Sequence, residues 1–287
     1  MSGNSSTNTL PRPFLKWVGG KRQLLPELLR AVESAGPFGR YHEPFLGGGA
    51  LFFELARRRQ LNGISYLSDV SESIIHAYLG VRDDVGRVIK HLKVHKAKHC
   101  KKYYYDMRSS SPRTSATRAA RIIYLNKTCY NGLHRENSKG LFNAPMGSYE
   151  NPKICDAENL LAVSASLSQT QISACSFTTV EKHAKEGDLI YFDPPYHPIS
   201  KTASFTSYSR YDFGEDAQHK LANVFRELDK RGIKLILSNS MTEFIQSLYS
   251  DFCITTVLAK RSVNSKGDRR GQIPEALITN FIMSRQS

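Results

Sequence analysis

The sequence predicts an α/β fold with a doubly wound sheet that is interrupted by a helical insertion. Apolar strand-like runs alternate with amphipathic helical patterns before residue 72 and again after residue 165, as in sheets that carry helices on both faces. The stretch 72–165 is instead mostly helical, basic and rich in tyrosine. With 287 residues, of which 40% are hydrophobic, the chain can bury one full core and a smaller second unit.

The first part of the sheet is predicted around a glycine-rich turn. Residues 41–44 have the pattern of a short strand, and the glycines that follow lead into a helix over 50–59. The next strand is predicted over 64–69. Ser71 is a suitable N-cap for the helix behind it.

The second part of the sheet is predicted from five further apolar runs. Strand patterns recur near 171–177, 189–192, 233–238, 254–258 and 276–282. A helix is predicted over 215–230, because its apolar residues fall on one face. These residues are Leu221, Val224, Phe225 and Leu228. Strands and helices therefore alternate to the end of the chain.

The charge of the chain favours a polyanionic partner. Forty Lys and Arg against 26 Asp and Glu give a net charge of +14 and a pI near 9.6. The distribution is more informative than the total, since ten basic residues and one acid, Asp106, lie between residues 93 and 127. A second basic run follows over 260–270, and phosphate contacts are expected from it.

The cysteines and the N-terminus indicate the compartment. Five scattered cysteines without a Cys-x-x-Cys pair are typical of reduced thiols in an intracellular protein. No apolar run reaches the length of a membrane span, and the polar start lacks the apolar core of a signal peptide. We therefore expect a cytoplasmic protein without a membrane partner, with a disordered tail over 1–13.

The turn formed by Asp193, Pro194, Pro195 and Tyr196 is the most informative motif. It follows the apolar run 189–192, and two prolines both end that strand and stiffen its carboxyl end, where open α/β sheets place ligands. One carboxylate, one free carbonyl from Pro194 and one aromatic ring suit a flat base with an exocyclic amine. The alternative is a strand-ending turn with a half-buried tyrosine.

The glycine-rich turn predicts a nucleotide-like ligand. Glycines after the first strand let a ligand approach the backbone closely. The Gly-x-x-x-x-Gly-Lys-Ser/Thr pattern of a phosphate loop is absent, which argues against a nucleotide triphosphatase. Asp69 ends the next strand, where an acid accepts ribose hydroxyl hydrogens in dinucleotide-type sites. The alternative is that Asp69 only caps the helix behind Ser71.

One histidine pattern could suggest a metal. His91, His95 and His99 recur every four residues beside Cys100, and histidines at this spacing can share a metal ion. Six lysines between residues 90 and 102 surround them, which is an unfavourable field for a divalent cation. We expect no metal and instead a basic helical face.

Three segments together carry a family resemblance. They are 14–21 (FLKWVGGK), 43–50 (EPFLGGGA) and 193–196 (DPPY). In this order they resemble the motifs of the Dam-type DNA adenine-N6 methyltransferases, the alpha group of the D12 class, and the resemblance runs from Phe14 to about Phe281. It implies a Rossmann-like S-adenosylmethionine-dependent methyltransferase sheet formed by 14–71 and 166–287. It also implies that 72–165 is an inserted, mostly helical DNA-recognition domain.

The resemblance implies S-adenosyl-L-methionine as the cofactor. Trp17 and Lys21 are then expected to bind it, with Lys21 near its carboxylate. Asp69 would hold the ribose and Asp193 would lie near the methionine amino group, while Phe177, read as the end of a strand, would pack on the adenine. The whole expected set is Trp17, Lys21, Glu43, Pro44, Phe45, Gly47, Asp69, Phe177 and Asp193.

The implied reaction is direct methyl transfer to adenine N6. The N6 lone pair is delocalised into the ring, so hydrogen bonds from the amine to the Asp193 carboxylate and the Pro194 carbonyl would favour a reactive geometry. A base inside a duplex is out of reach and must be flipped. Tyr196 would stack on it, and Pro195 completes the catalytic turn. Neither a metal nor a cysteine thiolate is needed.

The long polar loop over 127–152 is similar to the β-hairpin that Dam-type enzymes insert beside the target adenine. By this likeness Tyr130 and Asn131 approach the flipping site, and Arg135 is a candidate reader of guanine. The expected DNA-binding set is Lys101, Tyr130, Asn131, Leu133, Arg135, Asn143, Pro145 and Tyr149. His134 stands where relatives often carry an aromatic residue or arginine. The alternative is a solvated loop that only contacts phosphates.

The substrate implied by the resemblance is double-stranded DNA, with GATC as the best single guess for the site. The expected state is a monomer in solution that could pair on DNA. Two alternatives remain open. One is an RNA adenine methyltransferase, since Asp-Pro-Pro-Tyr turns also occur there, and the other is a non-catalytic DNA-binding regulator on the same fold. Cofactor binding would separate the enzyme from the regulator.

Overall fold

A seven-stranded mixed sheet organises the chain. The computed structural model describes residues 9–17, 21, 23–137, 140–199, 213–260 and 272–284. The strands are β1 Tyr41–Glu43, β2 Ser65–Asp69, β3 Thr170–Ala174, β4 Leu189–Phe192, β5 Lys234–Ser240, β6 Cys253–Lys260 and β7 Gln272–Thr279. Their order across the sheet is β3-β2-β1-β4-β5-β7-β6.

The helices connect and cover these strands. They are α1 Leu25–Ala35, α2 Ala50–Arg57, α3 Glu72–Ala97, α4 Lys101–Ser109, α5 Ser115–Thr128, α6 Ala157–Leu167, α7 Val180–His183, α8 Glu215–Lys230 and α9 Glu243–Leu248. Within the described residues, no helix is both long and apolar enough to cross a membrane.

The strand directions bring the functional motifs to one edge of the sheet. The first five strands run parallel, and β7 is antiparallel to both of its neighbours. The carboxyl ends of β1, β2 and β4 therefore lie at the same edge. These ends carry the glycine-rich turn, Asp69 and the Asp193 turn.

Apolar residues pack against both faces of the sheet. On one face α2 and α3 bury aromatic side chains such as Phe52, Phe53 and Tyr78. On the other face α8 buries the four residues that its amphipathic pattern singles out. The predicted α/β class is confirmed by this two-sided sheet.

The stretch between β2 and β3 contributes helices and no strand within its described residues. Ser71 caps α3 by accepting from the Ile74 amide at 3.5 Å, as predicted. The long helix α3 has a non-helical residue, Asp84, in its interior. In the described structure this stretch is helical from α3 to α6, apart from the segment that joins α5 to α6.

Two histidines of this stretch form hydrogen bonds with tyrosines. His95 Nδ1 lies 2.8 Å from Tyr103 Oη and His99 Nδ1 lies 2.9 Å from Tyr124 Oη. Burial, with the neighbouring His91 and Lys98, lowers the pKa of His95 to about 4. Within the described residues, no cluster of three potential ligands could hold a metal ion.

Several predicted boundaries were wrong. Arg12 exchanges backbone hydrogen bonds with the Asn159 side chain, at 3.0 Å each way, so the predicted disordered tail over 1–13 is too long at its C-terminal end. Residues 1–8 lie outside the described residues. The strand predicted over 171–177 ends at Ala174, and Phe177 begins a short 3₁₀ turn. The last strand begins at Gln272 and ends at Thr279 instead of spanning 276–282.

Candidate active site

The Asp193 carboxylate lies at the centre of the site. It follows β4, and its Oδ1 atom accepts from Lys21 Nζ at 2.8 Å and from Ser238 Oγ at 2.9 Å. Ser238 belongs to the neighbouring strand β5 and also lies 3.0 Å from the Tyr191 hydroxyl. The Asp193 carboxylate is therefore oriented by a cation on one side and a buried hydroxyl on the other.

Buried side-chain amides form hydrogen bonds to the backbone of the turn that contains Pro194 and Pro195. The Gln218 side chain of α8 donates to the Pro195 carbonyl at 3.0 Å, and Asn239 of β5 accepts from the His197 amide at 2.9 Å. Asn239 in turn donates to Gln218 at 3.1 Å. Gln218 and Asn239 are fully buried, so the turn is fixed by satisfied interior groups.

Tyr196 is held in a chain of hydrogen bonds. Lys21 Nζ donates to its hydroxyl at 2.6 Å, and that hydroxyl donates to Glu275 Oε2 at 3.0 Å. Lys21 Nζ also lies 4.0 Å from the centroid of the Tyr196 ring. Burial, together with Asp193 and Glu275, raises the pKa of Tyr196 well above its ordinary value, so the hydroxyl remains a donor.

Lys21 lies between the Asp193 turn and the cavity beside Trp17. Its described partners are Asp193 and Tyr196 of that turn, and its expected contact with a cofactor carboxylate stays a prediction. Lys21 is only 9% exposed. Two anionic or polar acceptors from the turn draw the ammonium towards β4.

The glycine-rich turn packs against Trp17. A Cβ atom at Gly47 would lie 2.7 Å from Trp17 Nε1, and one at Gly48 would lie 3.0 Å from Trp17 Cβ. Gly47 also has φ +45°, a conformation that side chains disfavour. Glycine is thus required here to let the tryptophan lie against the backbone. The neighbouring residues 18–20 lie outside the described residues.

Asp69 closes the other side of this turn. Its Oδ2 atom accepts from the Gly47 amide at 2.9 Å and its Oδ1 atom accepts from the Ser71 amide at 3.0 Å. Burial raises the pKa of Asp69, although both amides oppose that effect. The carboxylate therefore joins the glycine turn to Ser71, the N-cap residue of α3.

Glu43 lies beneath the site as a buried carboxyl group. It is 2% exposed and accepts from the Tyr41 hydroxyl at 2.8 Å. Burial, together with the nearby Asp193 and Asp69, raises the pKa of Glu43 to about 8, against hydrogen bonds from Tyr41 and the Phe52 amide. Below that pH the group is neutral.

One small cavity brings these groups together. Its lining is formed by Trp17, Lys21, Glu43, Leu46, Gly48, Gly49, Ala50, Leu51, Tyr191 and Asp193. Beside it, the Phe45 ring stacks on Phe177 at 5.4 Å and meets Phe213 edge-on at 5.5 Å. Pro44 lines a different cavity, on the α7 side of the sheet. The structure thus gathers most of the expected cofactor set at one edge of the sheet.

The segment after α5 has the form of a hairpin. Single antiparallel bridges join Cys129 to Met146 and Glu136 to Phe142, and the Tyr130 amide donates to the Pro145 carbonyl at 2.9 Å. Residues 129–137 and 140–147 are called the hairpin below, and 138–139 lie outside the described residues. The predicted loop over 127–152 starts too early, because α5 continues to Thr128.

Most of the expected DNA-binding side chains lie on the surface of this hairpin. Tyr130 is 54% exposed, and Asn131 and Pro145 are exposed as well. Arg135 is exposed and donates from Nε to Asn143 Oδ1 at 2.8 Å, so the two expected contacts are paired with each other. Leu133, Asn143 and Tyr149 are half-buried.

Two further placements complete the set. Lys101 is exposed at the first residue of α4. The Tyr149 ring lies under Lys16 Nζ, 3.7 Å from the ring centroid. His134, by contrast, is turned inward, since its side chain is 7% exposed. The predicted basic run over 260–270 falls almost wholly outside the described residues.

Several residues of the site were missed by the sequence reasoning. Ser238, Asn239 and Gln218 form hydrogen bonds to residues 193–197, and Glu275 accepts a hydrogen bond from Tyr196. A polar Ser-Asn-Ser run at the end of an apolar strand was an available signal for two of these residues. Glu275 gave none, because it reaches the site only through the pairing of β7 with β5.

The comparison with protein families decides the class. The model of the D12 class N6 adenine-specific DNA methyltransferases matches residues 17–263. The chain belongs to this family. Its members transfer a methyl group to adenine in DNA, so the RNA alternative and the non-catalytic alternative are both disfavoured. The predicted enzyme class is confirmed.

Individual relatives align along nearly the whole chain. The type II methyltransferase M.MjaIII of Methanocaldococcus jannaschii is 42% identical, over 94% of this chain and 99% of that protein. M1.LlaDCHI of Lactococcus lactis subsp. cremoris is 40% identical over 94% and 95%. The DNA adenine methylase of Escherichia coli K12 is 33% identical over 93% and 94%. A solved rRNA methylase from Streptococcus thermophilus aligns with a TM-score of 0.38 at 10% identity, covering 91% of this chain and 98% of that one.

Proposed function

We propose that this D12-class protein methylates adenine N6 at a specific site in duplex DNA, with S-adenosyl-L-methionine as the methyl donor. The observation that supports the proposal most is the common edge shared by the Asp193 turn, the Trp17–glycine contact and Asp69. A site that must join a cofactor to a substrate amine needs both sets of groups within reach of one cleft.

The residues present fit the proposed cofactor. Asp69 is an acceptor at the end of β2, where a ribose hydroxyl pair is bound in dinucleotide-type sites. The bare backbone at Gly47 and Gly48 permits close approach beside Trp17, and the Phe45–Phe177 pair offers a flat apolar surface. When bound, the cofactor would supply a methyl group on a positively charged sulfur.

The catalytic turn is arranged to bind an amine. Both described contacts to Asp193 use Oδ1, and we assign Oδ2 to the first N6 hydrogen of adenine. The Pro195 carbonyl is occupied by Gln218, so the Pro194 carbonyl is the acceptor for the second hydrogen. These bonds strengthen as positive charge develops on N6 during transfer. The contact with Lys21 keeps the Asp193 carboxylate oriented during methyl transfer.

The adenine would reach this turn by flipping out of the duplex. Flipping costs a few kcal/mol, and stacking on Tyr196 can return about 1–3 kcal/mol of it. The Tyr196 ring cannot rotate freely, because its hydroxyl is held by Lys21 and Glu275. A fixed ring of this kind suits a stacking platform.

The hairpin is assigned to sequence recognition. Exposed Tyr130 and Asn131 would approach the gap left by the adenine, with Leu133, Pro145 and Tyr149 along the bases. Arg135 would read guanine. Its side chain would then either break its hydrogen bonds to Asn143 or donate to guanine from Nη1 while Nε and Nη2 stay bonded to Asn143. Lys101 would contact phosphate. GATC remains our proposal for the recognition sequence.

Replacing Asp193 tests the catalytic assignment. We expect Asp193→Ala to abolish transfer of labelled methyl to plasmid DNA from a host without adenine methylation. Duplex affinity should stay within a few-fold of wild type, because phosphate contacts dominate it. Asp251→Ala, which removes an exposed carboxylate between α9 and β6, is the matched control. Wild-type turnover by Asp193→Ala would disprove the assignment, and sequencing of the methylated plasmid would identify the site.

A further inference from the structure

The buried face of the hairpin contacts the edge to which we assign the cofactor. His134 and Glu136 lie on the first arm of the hairpin, on either side of exposed Arg135. Their side chains are only 7% and 9% exposed. Alternate residues of one extended arm thus point in opposite directions, Arg135 outward and its two neighbours inward.

Glu136 binds the first turn of α3. Its Oε1 atom accepts from Ser71 Oγ at 3.2 Å and forms a short hydrogen bond with Ser73 Oγ. The same oxygen lies 3.1 Å from His134 Nε2. Burial alone raises the pKa of Glu136, but the hydrogen bonds from His134 and Ser73 hold it below its ordinary value. The carboxylate is therefore ionised, and its Oε1 atom has three described hydrogen-bond partners.

Ser71 connects this cluster directly to Asp69. Its hydroxyl donates to Glu136, while its backbone amide donates to Asp69 Oδ1 at 3.0 Å. Because Ser71 is bonded to both carboxylates, a displacement of Asp69 would displace Ser71 and, through it, Glu136 of the hairpin. The Ser71 hydroxyl also caps α3, which fixes the geometry further.

His134 supplies a second connection. Its ring lies 5.8 Å from the Trp17 ring, and Trp17 rests on the glycine turn whose amide binds Asp69. On its other side the His134 ring meets Phe142 of the second arm at 5.4 Å. The hairpin thus touches the cofactor edge through Trp17 and through Ser71.

We infer that His134 and Glu136 are positioning residues that couple the placement of the recognition hairpin to occupancy of the site between Trp17 and Asp69. The inference rests on the proposed function of that site. One buried cluster joins the two sites, and we assign neither residue a contact with the base or the methyl donor. Coupling between two sites is reciprocal, so cofactor binding should strengthen DNA binding by the same factor as the reverse.

A binding cycle measures this coupling. The affinity is measured for a short, unmethylated duplex that contains the recognition sequence identified by plasmid sequencing. It is measured with and without S-adenosylhomocysteine, which has no methyl group to transfer. We expect the wild-type protein to bind the duplex about 5–150 times more tightly with the ligand present. In Glu136→Gln and in Ser73→Ala this factor should fall towards one, while the affinity for S-adenosylhomocysteine alone stays near that of wild type.

Two variants and two controls make the test specific. Ser73→Ala keeps the fold, because alanine favours a helix and Ser73 is not the cap residue. Glu158→Gln and Ser166→Ala, both on α6 and away from the site, are the matched controls and should retain the full factor. Thermal unfolding is followed for each protein.

The outcomes are distinct. The inference is overturned if S-adenosylhomocysteine strengthens DNA binding by Glu136→Gln and Ser73→Ala as much as it does for the wild-type protein. It is also overturned if these variants lose affinity for DNA and for S-adenosylhomocysteine equally, in proportion to their loss of stability. Absence of any coupling in the wild-type protein overturns it as well. Failure of the wild-type protein to bind S-adenosylhomocysteine would instead refute the proposed function.

Discussion

The carboxyl group of Glu43 should make the stability of the free protein depend on pH in an unusual direction. Buried acids that pair with cations usually stabilise a fold as the pH rises. Among the described residues, Glu43 instead accepts from Tyr41 and the Phe52 amide, with two other carboxylates nearby, and its pKa is raised to about 8. The perturbation that isolates this effect is Glu43→Gln, which mimics the neutral form in shape and still accepts from Tyr41.

The magnitude follows from the two pKa values. The ordinary value is 4.5 and the folded value is about 8. Between them the unfolded chain has lost this proton while the folded chain keeps it, so the folded state binds more protons and stability falls as the pH rises. The free energy of unfolding falls by about 1.4 kcal/mol per pH unit, which amounts to about 5 kcal/mol between pH 4.5 and pH 8. Below pH 4.5 and above pH 8 this group contributes no pH dependence to the free energy of unfolding.

Urea unfolding of the free protein tests this prediction. The single tryptophan, Trp17, provides a fluorescence signal, and circular dichroism provides a second. The stability of Glu43→Gln minus that of wild type should grow from about pH 5 to about pH 8 by several kcal/mol. Contributions from other groups, such as Asp69, are shared by both proteins and largely cancel. Glu158→Gln, at an exposed position of α6, should show a constant difference.

A constant difference for Glu43→Gln would refute the reasoning. Glu43 would then ionise near its ordinary pKa, and the interior beneath the catalytic turn would be better solvated than its 2% exposure indicates.

Two further predictions concern the proposed ligands. Trp17→Ala and Asp69→Ala should each weaken S-adenosylmethionine binding in calorimetry by about tenfold or more. For Asp69 this is the effect expected when hydrogen bonds to a charged group are lost. The affinity for DNA in the absence of cofactor should change little in either variant. Normal cofactor binding by both would mean that the glycine turn is only structural. Arg135→Ala should lower activity on the preferred site by about tenfold or more and relax discrimination at one base pair, whereas Lys101→Ala should weaken all sites equally and reduce the salt dependence of binding. A uniform loss across variant sites in Arg135→Ala would make Arg135 a phosphate contact.

Local patterns predicted much of the fold. The helix over 215–230 was placed with the bounds that the structure has, because its apolar face is continuous and its ends are clear. The strand before Asp193 and the N-cap at Ser71 were also predicted correctly. Each of these features depends on residues that are neighbours in the sequence.

The remainder depends on pairings between distant parts of the chain. The insertion of β7 between β5 and β6 cannot be read from the β7 sequence, and it alone brings Glu275 to Tyr196. The contacts of Lys21 with Asp193 and Tyr196 could not be predicted, because these partners lie over 170 residues away. The inward orientation of His134 and Glu136 depends on Ser71 and Ser73 of another element.

The reversal of β7 also has a topological consequence. Because β7 runs against β5, Glu275 pairs with Ser240, the last residue of β5, and the start of β7 lies beside the catalytic turn. Lys260, the end of β6, pairs with Gln272, so both anchors of the intervening connection stand at that edge. The two described residues that flank 261–271, Lys260 and Gln272, are therefore neighbours at the edge that also carries the Asp193 turn. One antiparallel strand thereby returns the C-terminal part of the chain to the edge at which Glu275 binds the Tyr196 hydroxyl.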